Sequence, residues 1–271
     1  MRFNKKLENK SALITGAAKG IGAQAARLMA QQGATVFVAD TLTDLAQQVA
    51  CDINSDGGQA TAISLDVSSE SSWKEAIQQI TKAGDGNLDV LVNNAGFFLG
   101  KGFEEATIDE WRKLVDVNMT SVFLGTKLCA PALRKAAALS EHGSAIVNLS
   151  SIAGLVAAPN DPLYGMTKGG VTLFTKSTAI SFANNGDRIR VNSVHPGVVN
   201  TEMGDKAIAS QAKRLGIDDM DQIKKLSADR HPLGRLAETQ DIANAILFLA
   251  SDDSAFMTGV SMPVDGGLTA Q

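Results

Sequence analysis

The sequence predicts one α/β domain, a doubly wound parallel sheet of about seven strands with helices on both faces. Three observations predict it. Apolar strand-like runs alternate with helical patterns along the chain, those runs are apolar at nearly every residue, and a glycine-rich turn joins the first run to the first helix. Alternation argues for parallel strands linked by helical crossovers. Strands that are apolar throughout are buried on both faces. The 271 residues suit a single such domain, and no linker, repeat or low-complexity segment divides them.

The first strand is expected at 12–15, followed by Thr15-Gly16-Ala17-Ala18-Lys19-Gly20-Ile21-Gly22 and a helix over 23–30. In that context glycines let the backbone turn tightly and approach a pyrophosphate, while the helix start offers free N–H groups and a positive dipole end. Further strands are expected at 35–39, 60–65, 90–92, 145–149, 190–194 and 260–264. Helical patterns cover 72–83, 108–133, 164–184 and 239–249. Only 202–235 breaks the alternation; it is polar and interrupted, with short helical stretches at 205–215 and 219–229.

Composition excludes several classes. Hydrophobic residues at 44 % and charged residues at 20 % describe an ordinary soluble globule. A net charge of −4 and a pI near 5.4 give no electrostatic reason to expect nucleic acid or an anionic membrane. Cys51 and Cys129 are too few for a disulfide framework and fit a reducing compartment. No apolar run is long enough to span a bilayer, and the polar N-terminus does not read as a secretory signal, so cytoplasm is the expected location. No spacing of His, Cys or carboxylates points to a catalytic metal. His142 and His231 fall in polar segments and read as surface residues, while His195, before a proline at a strand end, reads as structural.

Chemistry enters at Tyr164-Gly165-Met166-Thr167-Lys168. On a helix, Tyr164 and Lys168 stack one turn apart. An ammonium beside a phenol favours the phenolate, so the Tyr164 pKa is expected to fall. Such a phenol can pass a proton to and from an alcohol or ketone oxygen. Ser151 lies upstream, and Asn118 before it.

With the Thr15-to-Gly22 turn, Asp66-Val67, Asn93-Asn94-Ala95-Gly96, Asn118, Ser150-Ser151, Tyr164, Lys168, Asn192, Pro196-Gly197, Thr201 and Asp265-Gly266-Gly267, the chain resembles the short-chain dehydrogenase/reductase family. The match runs in the family's order over nearly the whole length. It implies a Rossmann fold and a nicotinamide cofactor. It also implies that Tyr164 exchanges the proton, that Lys168 tunes it and holds the nicotinamide ribose, and that Asn118 holds a water on a proton path. Ser151, rather than Ser150, would orient the substrate oxygen, because its separation from Tyr164 matches the family pattern.

Cofactor choice turns on Asp40. At the end of the second strand, with Thr41 beside it, it is placed to hydrogen-bond the adenosine ribose and to repel the 2′-phosphate of NADP. Lys19 argues the other way, but its side chain can swing into solvent, so NAD is expected. Gly16, Lys19, Gly20, Ile21 and Gly22 would cradle the pyrophosphate. By resemblance Asp66 and Val67 meet the adenine edge; a helix N-cap is the alternative reading of Asp66. Asn93, Ala95 and Gly96 would approach the ribose and nicotinamide. Pro196, Gly197, Val199 and Thr201 would hold the carboxamide or pyrophosphate.

Phe98, Leu163 and Met203, among other apolar residues, are expected to line a cavity for an uncharged secondary alcohol or ketone. The stretches 193–198 and 266–271 are similar to bacterial secondary-alcohol dehydrogenases acting on cyclic alcohols, hydroxysteroids or aryl ketones. A 3-oxoacyl thioester reductase is the competing enzyme; it usually uses NADPH, so Asp40 counts against it. A non-enzyme that senses NAD/NADH is the other alternative, opposed by the intact Ser151, Tyr164, Lys168 and Asn118 set. The resemblance further implies a substrate lid over 203–230 and a homotetramer. Apolar residues on the 108–133 helix and the one from 164, more than one sheet-facing stripe needs, give a physical reason for assembly.

Overall fold

A computed structural model describes residues 5–83, 86–159 and 161–271. Seven strands form one all-parallel sheet in the order β3-β2-β1-β4-β5-β6-β7. They are β1 (Ser11–Thr15), β2 (Thr35–Asp40), β3 (Gln59–Ser64), β4 (Val90–Asn93), β5 (Ser144–Leu149), β6 (Ile189–Pro196) and β7 (Ser261–Val264). Each expected strand is present, its ends moved by a residue or two. The chain starts mid-sheet, runs out to β3, then returns to pair β4 with β1, Ala12 opposite Val90. Such a reversal opens a crevice at the C-terminal strand ends, where ligands of this fold class bind.

Side-chain alternation splits the core in two. Ala12, Ile14, Val36 and Val38 face α1 (Gly20–Gln31), α2 (Thr43–Ser55) and α9 (Thr239–Ala250). Leu13, Phe37, Leu91, Ile146 and Val191 face α3 (Glu70–Ala83), α5 (Ser121–Leu139) and α6 (Pro162–Asn184), with Trp73 and Leu133 filling the space. A third, small core of Ile208, Ala212, Ile223 and Leu236 holds α7 (Glu202–Leu215) to α8 (Met220–Asp229). Among the described residues, no helix is long and apolar enough to cross a membrane.

One expectation is corrected. The single helix predicted over 108–133 is α4 (Ile108–Val115), a π-helical turn at Asp116–Thr120, and then α5. The π turn contains Asn118, which is 1 % exposed. Such turns are rare and tend to sit at functional sites.

A buried polar chain sets the register between the elements that matter most. Asn93 Nδ2 donates to Asn148 Oδ1 at 2.9 Å, and Asn148 Nδ2 donates to Thr175 Oγ1 at 2.9 Å. This links β4, β5 and α6 with every member partnered, which is what makes buried polar groups tolerable. Asn148→Ala should therefore cost about 1–3 kcal/mol of stability in urea unfolding, because it strands the Asn93 amide. A loss within a few tenths of a kcal/mol would show that this chain is not a structural tie.

Candidate active site

The first wall of the crevice is the glycine turn. Gly16 has φ +63, and a Cβ there would lie 2.8 Å from the Ala95 Cα. A Cβ on Gly22 would lie 2.3 Å from the Gly16 carbonyl, so the turn closes only around glycine. Asn94 ties it down. Its Nδ2 donates to Thr15 O at 2.8 Å and Gly16 O at 2.9 Å, while Thr15 Oγ1 accepts from Asn94 N at 3.0 Å and Ala95 N at 3.1 Å. Gly96 follows, close to Lys168 and Asn118. Asn93, expected at the cofactor, turns its side chain into the buried chain.

Helix caps set α1 and α2, which have no side-chain cap, apart from three later helices. Thr107, Asp161 and Thr201 cap α4, α6 and α7 with side-chain oxygens. At α1 Lys19 makes no such bond and the first turn carries no acidic residue, leaving N–H groups free around Gly20, Ile21 and Gly22. A Cβ placed on Gly20 would be 3.4 Å from Thr201 Cγ2 across the way. Uncapped donors beside glycine are a good fit to a pyrophosphate. Asp40 Oδ2 accepts from Ala18 N at 3.0 Å and Oδ1 from Leu42 N at 3.0 Å, fixing the carboxylate beside the turn, with Thr41 exposed next to it. Lys19 leans away and pairs with Glu202 at 3.3 Å.

Asp66 is exposed and accepts from Ser68 N at 2.9 Å and Ser68 Oγ at 2.6 Å. Ser69 Oγ, accepting from Ser72 N at 3.3 Å, ties the start of α3, so the N-cap reading of Asp66 does not hold. Val67 is buried, and its carbonyl accepts from Trp73 Nε1 at 3.0 Å.

The chemical side is built from β5, α6 and the π turn. Ser150 is committed to α6, its Oγ donating to Lys168 O at 2.9 Å. Ser151 instead hydrogen-bonds the Tyr164 phenol. His195, wholly buried, donates from Nδ1 to the Ser151 carbonyl at 2.8 Å and holds that backbone in place. Lys168 is 4 % exposed, donates to Leu149 O at 2.8 Å, and stands 5.6 Å from the Tyr164 ring centroid. Asn118 accepts from Phe97 N at 2.7 Å and donates to Phe97 O at 2.9 Å and Thr167 Oγ1 at 3.1 Å. It meets Lys168 across Gly96, where a Cβ would be 3.6 Å from Lys168 Nζ and 3.8 Å from Asn118 Oδ1.

Electrostatics reverse one expectation. Lys168 was expected to lower the Tyr164 pKa. Burial pushes the phenol up to about 12, the Ser151 hydrogen bond opposes, and the Asp161 carboxylate adds to the rise. Burial also pushes Lys168 down to about 8, which weakens the charge meant to help.

Around this centre, Phe98 sets its ring edge against Tyr164, centroids 5.5 Å apart at 75°. Leu163 lines a 360 Å³ hollow with Phe103, Ile108 and Trp111. Pro196 ends β6, Gly197 N donates to Val264 O at 3.1 Å, Val199 bridges to Ala237, and Met203 lies half-exposed on α7 just beyond Thr201. His231, expected at the surface, is 2 % exposed. The end of α8 folds it under the loop after β6, where Nδ1 donates to Ser227 O at 2.8 Å and Nε2 accepts from Val198 N at 3.3 Å.

The family model described as enoyl-(acyl carrier protein) reductase matches residues 16–269. The chain belongs to the short-chain dehydrogenase/reductase family. It is 42 % identical over 275 residues to trans-4-hydroxycyclohexanecarboxylate dehydrogenase of Sinomonas cyclohexanicum, covering 99 % of this chain and 96 % of that one. It is 39 % identical over 265 residues to cyclopentanol dehydrogenase of Comamonas sp. (strain NCIMB 9872), covering 98 % and 99 %. It is 38 % identical over 271 residues to cyclohexanol dehydrogenase of Acinetobacter sp. (strain SE19), covering 99 % and 98 %.

As a short-chain dehydrogenase/reductase the protein is an oxidoreductase of nicotinamide chemistry, and the free α1 donors and glycine cradle fit that cofactor. Sequence reasoning assigned no individual role to Asn94, and none at all to Asp161; each works through a contact that spacing does not reveal.

The Lys168 environment has a measurable consequence. Its folded pKa of about 8 lies below the ordinary 10.5, so between those values the unfolded chain binds more protons and stability rises with pH. Tyr164, raised from 10.0, acts in the opposite sense only above that value. Thermal unfolding from pH 8 upward should therefore show a rise in wild type that Lys168→Met flattens. Parallel curves for the two proteins would contradict the burial account.

Proposed function

We infer that the enzyme interconverts an apolar cyclic secondary alcohol and its ketone with NAD(H). The reading is carried by one observation: the Tyr164 phenol, with Ser151 and Lys168 beside it, meets the edge of the Phe98 ring. The three relatives above, all named for cyclic alcohols or a hydroxycyclohexane acid, support the same ring-sized substrate. Phe98, Leu163 and Met203 form its apolar wall.

When bound, the oxidised nicotinamide supplies the hydride-accepting carbon and a positive charge that favours the phenolate. Tyr164 Oη takes the proton from the alcohol oxygen, or returns it to the ketone oxygen in reverse. Ser151 Oγ hydrogen-bonds that oxygen and holds it in line with the phenol. Lys168 Nζ supports the phenolate and holds the ribose, and Asn118, anchored by Phe97 and Thr167, orders a water between Lys168 and solvent. Gly16, Gly20, Ile21 and Gly22 hold the pyrophosphate, while Asp66, Val67, Asn93, Ala95 and Gly96 line the adenosine and ribose side. Pro196, Gly197, Val199 and Thr201 fix the carboxamide.

NAD is favoured over NADP because the Asp40 carboxylate, pinned by two backbone N–H groups beside the glycine turn, would repel a 2′-phosphate. A charge pair at ~4 Å and an effective dielectric of ~20 is worth about 4 kcal/mol before screening. Lys19, drawn to Glu202, offers little relief. The α7–α8 segment acts as a lid; Ser210 Oγ on α7 donates to Gly100 O, in the loop after β4, at 3.1 Å.

The working form is a cytoplasmic homotetramer. Leu114, Val122, Val171 and Phe182 are core residues, which leaves Phe123 at 47 %, Met166 at 55 %, Leu173 at 66 % and Ile180 at 56 % exposed on α5 and α6. Met166, Leu173 and Ile180 recur at a heptad interval along the helix that carries Tyr164, a stripe suited to pairing with its symmetry mate.

Tyr164→Phe should keep NADH binding, read by fluorescence, and lose roughly 10²–10⁴-fold in turnover on cyclohexanol. Near-normal turnover would remove Tyr164 from the mechanism. Steady-state kinetics should show a higher kcat/KM with NAD than with NADP, and Asp40→Ala should narrow the gap. A preference for NADP, or faster turnover of a 3-oxoacyl thioester than of cyclic alcohols, would favour the acyl reductase reading instead.

A further inference from the structure

Ser151 has to aim its hydroxyl, yet the bonds it makes within its own turn do not tie it to the sheet. It follows β5 in an extended conformation, φ −166 and ψ 162, and opens the 3-10 turn Ile152–Gly154. Its Oγ accepts from Ala153 N at 3.2 Å and its carbonyl from Gly154 N at 2.9 Å. Both bonds lie inside the turn and move with it. The residues just before are anchored more widely. Lys168 Nζ donates to Leu149 O at 2.8 Å, and Ser150 N donates to Val194 O at 2.9 Å.

His195 supplies the corresponding anchor for Ser151. It lies on β6, 44 residues further along the chain, and its Nδ1 is 2.8 Å from the Ser151 carbonyl. A carbonyl only accepts, so Nδ1 carries the ring proton. The other ring nitrogen, Nε2, is 2.8 Å from Ser193 Oγ, on the same face of β6. Both side chains are fully buried. Burial holds the His195 pKa below its ordinary value, so the ring is neutral and Nε2 accepts from the Ser193 hydroxyl. One tautomer in one orientation therefore satisfies all three groups. An apolar side chain would fill the same space without burying a polar pair, so packing alone does not call for histidine here.

We propose that His195 is a positioning residue for the reaction: Ser193 sets its tautomer, and its Nδ1–H fixes the backbone from which Ser151 aims its hydroxyl at the substrate oxygen. The inference rests on Ser151 as the group that holds that oxygen. A small misplacement of Ser151 weakens a hydrogen bond needed most in the transition state, so kcat suffers while binding does not. His195 also leads into the loop after β6. Damage carried by that loop would appear as weaker NADH binding instead.

His195→Leu removes the donor, while His195→Asn keeps an N–H near the place of Nδ1. His195→Leu should lower kcat on cyclohexanol about tenfold and leave NADH affinity, read by fluorescence, unchanged. His195→Asn should recover most of that loss, whatever its melting temperature. Ser151→Ala should lose roughly 10²-fold or more, and adding His195→Leu to it should cost little further. A second full drop in the double variant overturns the inference and leaves the role of Ser151 standing; normal turnover in Ser151→Ala overturns both. Equal kcat in the Leu and Asn variants, or a loss that lies in NADH affinity, also overturns it. Should neither His195 variant fold, Ser193→Ala decides: kcat should fall severalfold, and an unchanged kcat contradicts the proposal. Nitrogen NMR of the wild-type protein needs no substrate, so a wrong substrate assignment leaves it intact. The His195 ring, assigned through its shift in Ser193→Ala, should carry its proton on Nδ1. A proton on Nε2 instead would overturn the inference.

Discussion

The structure is organised around a lysine ammonium buried beside a phenol. Lys168 is 4 % exposed, and its Nζ donates to the Leu149 carbonyl at the end of β5. Dragging its pKa from 10.5 to about 8 is unfavourable by roughly 3 kcal/mol at neutral pH. That penalty persists only because the surrounding elements leave the side chain nowhere else to go. Ser150 clamps the α6 backbone at Lys168, the Asn93–Asn148–Thr175 chain locks α6 to β4 and β5, and the π turn delivers Asn118 to the opposite side. Local instability at a functional centre, held by a rigid frame, is a common trade.

The frame itself was legible in the sequence, for a simple reason. Strands buried on both faces must be apolar throughout, so β1, β4 and β5 announce themselves, and Gly16 and Gly22 occupy positions where a side chain has no room. The π turn was not legible, because a shift in hydrogen-bond register leaves no mark in composition or period. Asp116–Thr120 reads as ordinary helix until its carbonyl partners are known. The α7–α8 helices were readable as a departure from alternation, though their shared core, centred on Ile208 and Ile223, was not.

At the candidate site, residue types that carry chemistry stood out, while residues that act through contacts did not. Tyr164, Lys168 and Ser151 are recognisable by kind and order. His231 sits among polar neighbours in the sequence and is buried only because α8 ends beneath Val198. Asp161 belongs to no motif, and its part as the cap of α6 shows only in the fold. The direction of the Tyr164 shift was misread for the same reason: spacing reveals that an ammonium is near, but desolvation depends on everything else packed around the ring.

The crevice therefore brings two opposed electrostatic designs together. On one side α1 is left uncapped and the Asp40 carboxylate is pinned beside the glycine turn. On the other side burial holds the phenol neutral. The most direct test is a tyrosinate absorbance titration of the wild-type protein with and without NAD, since Tyr164 is the sole tyrosine. The account predicts no tyrosinate signal in the free protein until well above the ordinary 10.0, and a midpoint that moves down when NAD is added. An ordinary midpoint that NAD leaves unchanged would contradict it.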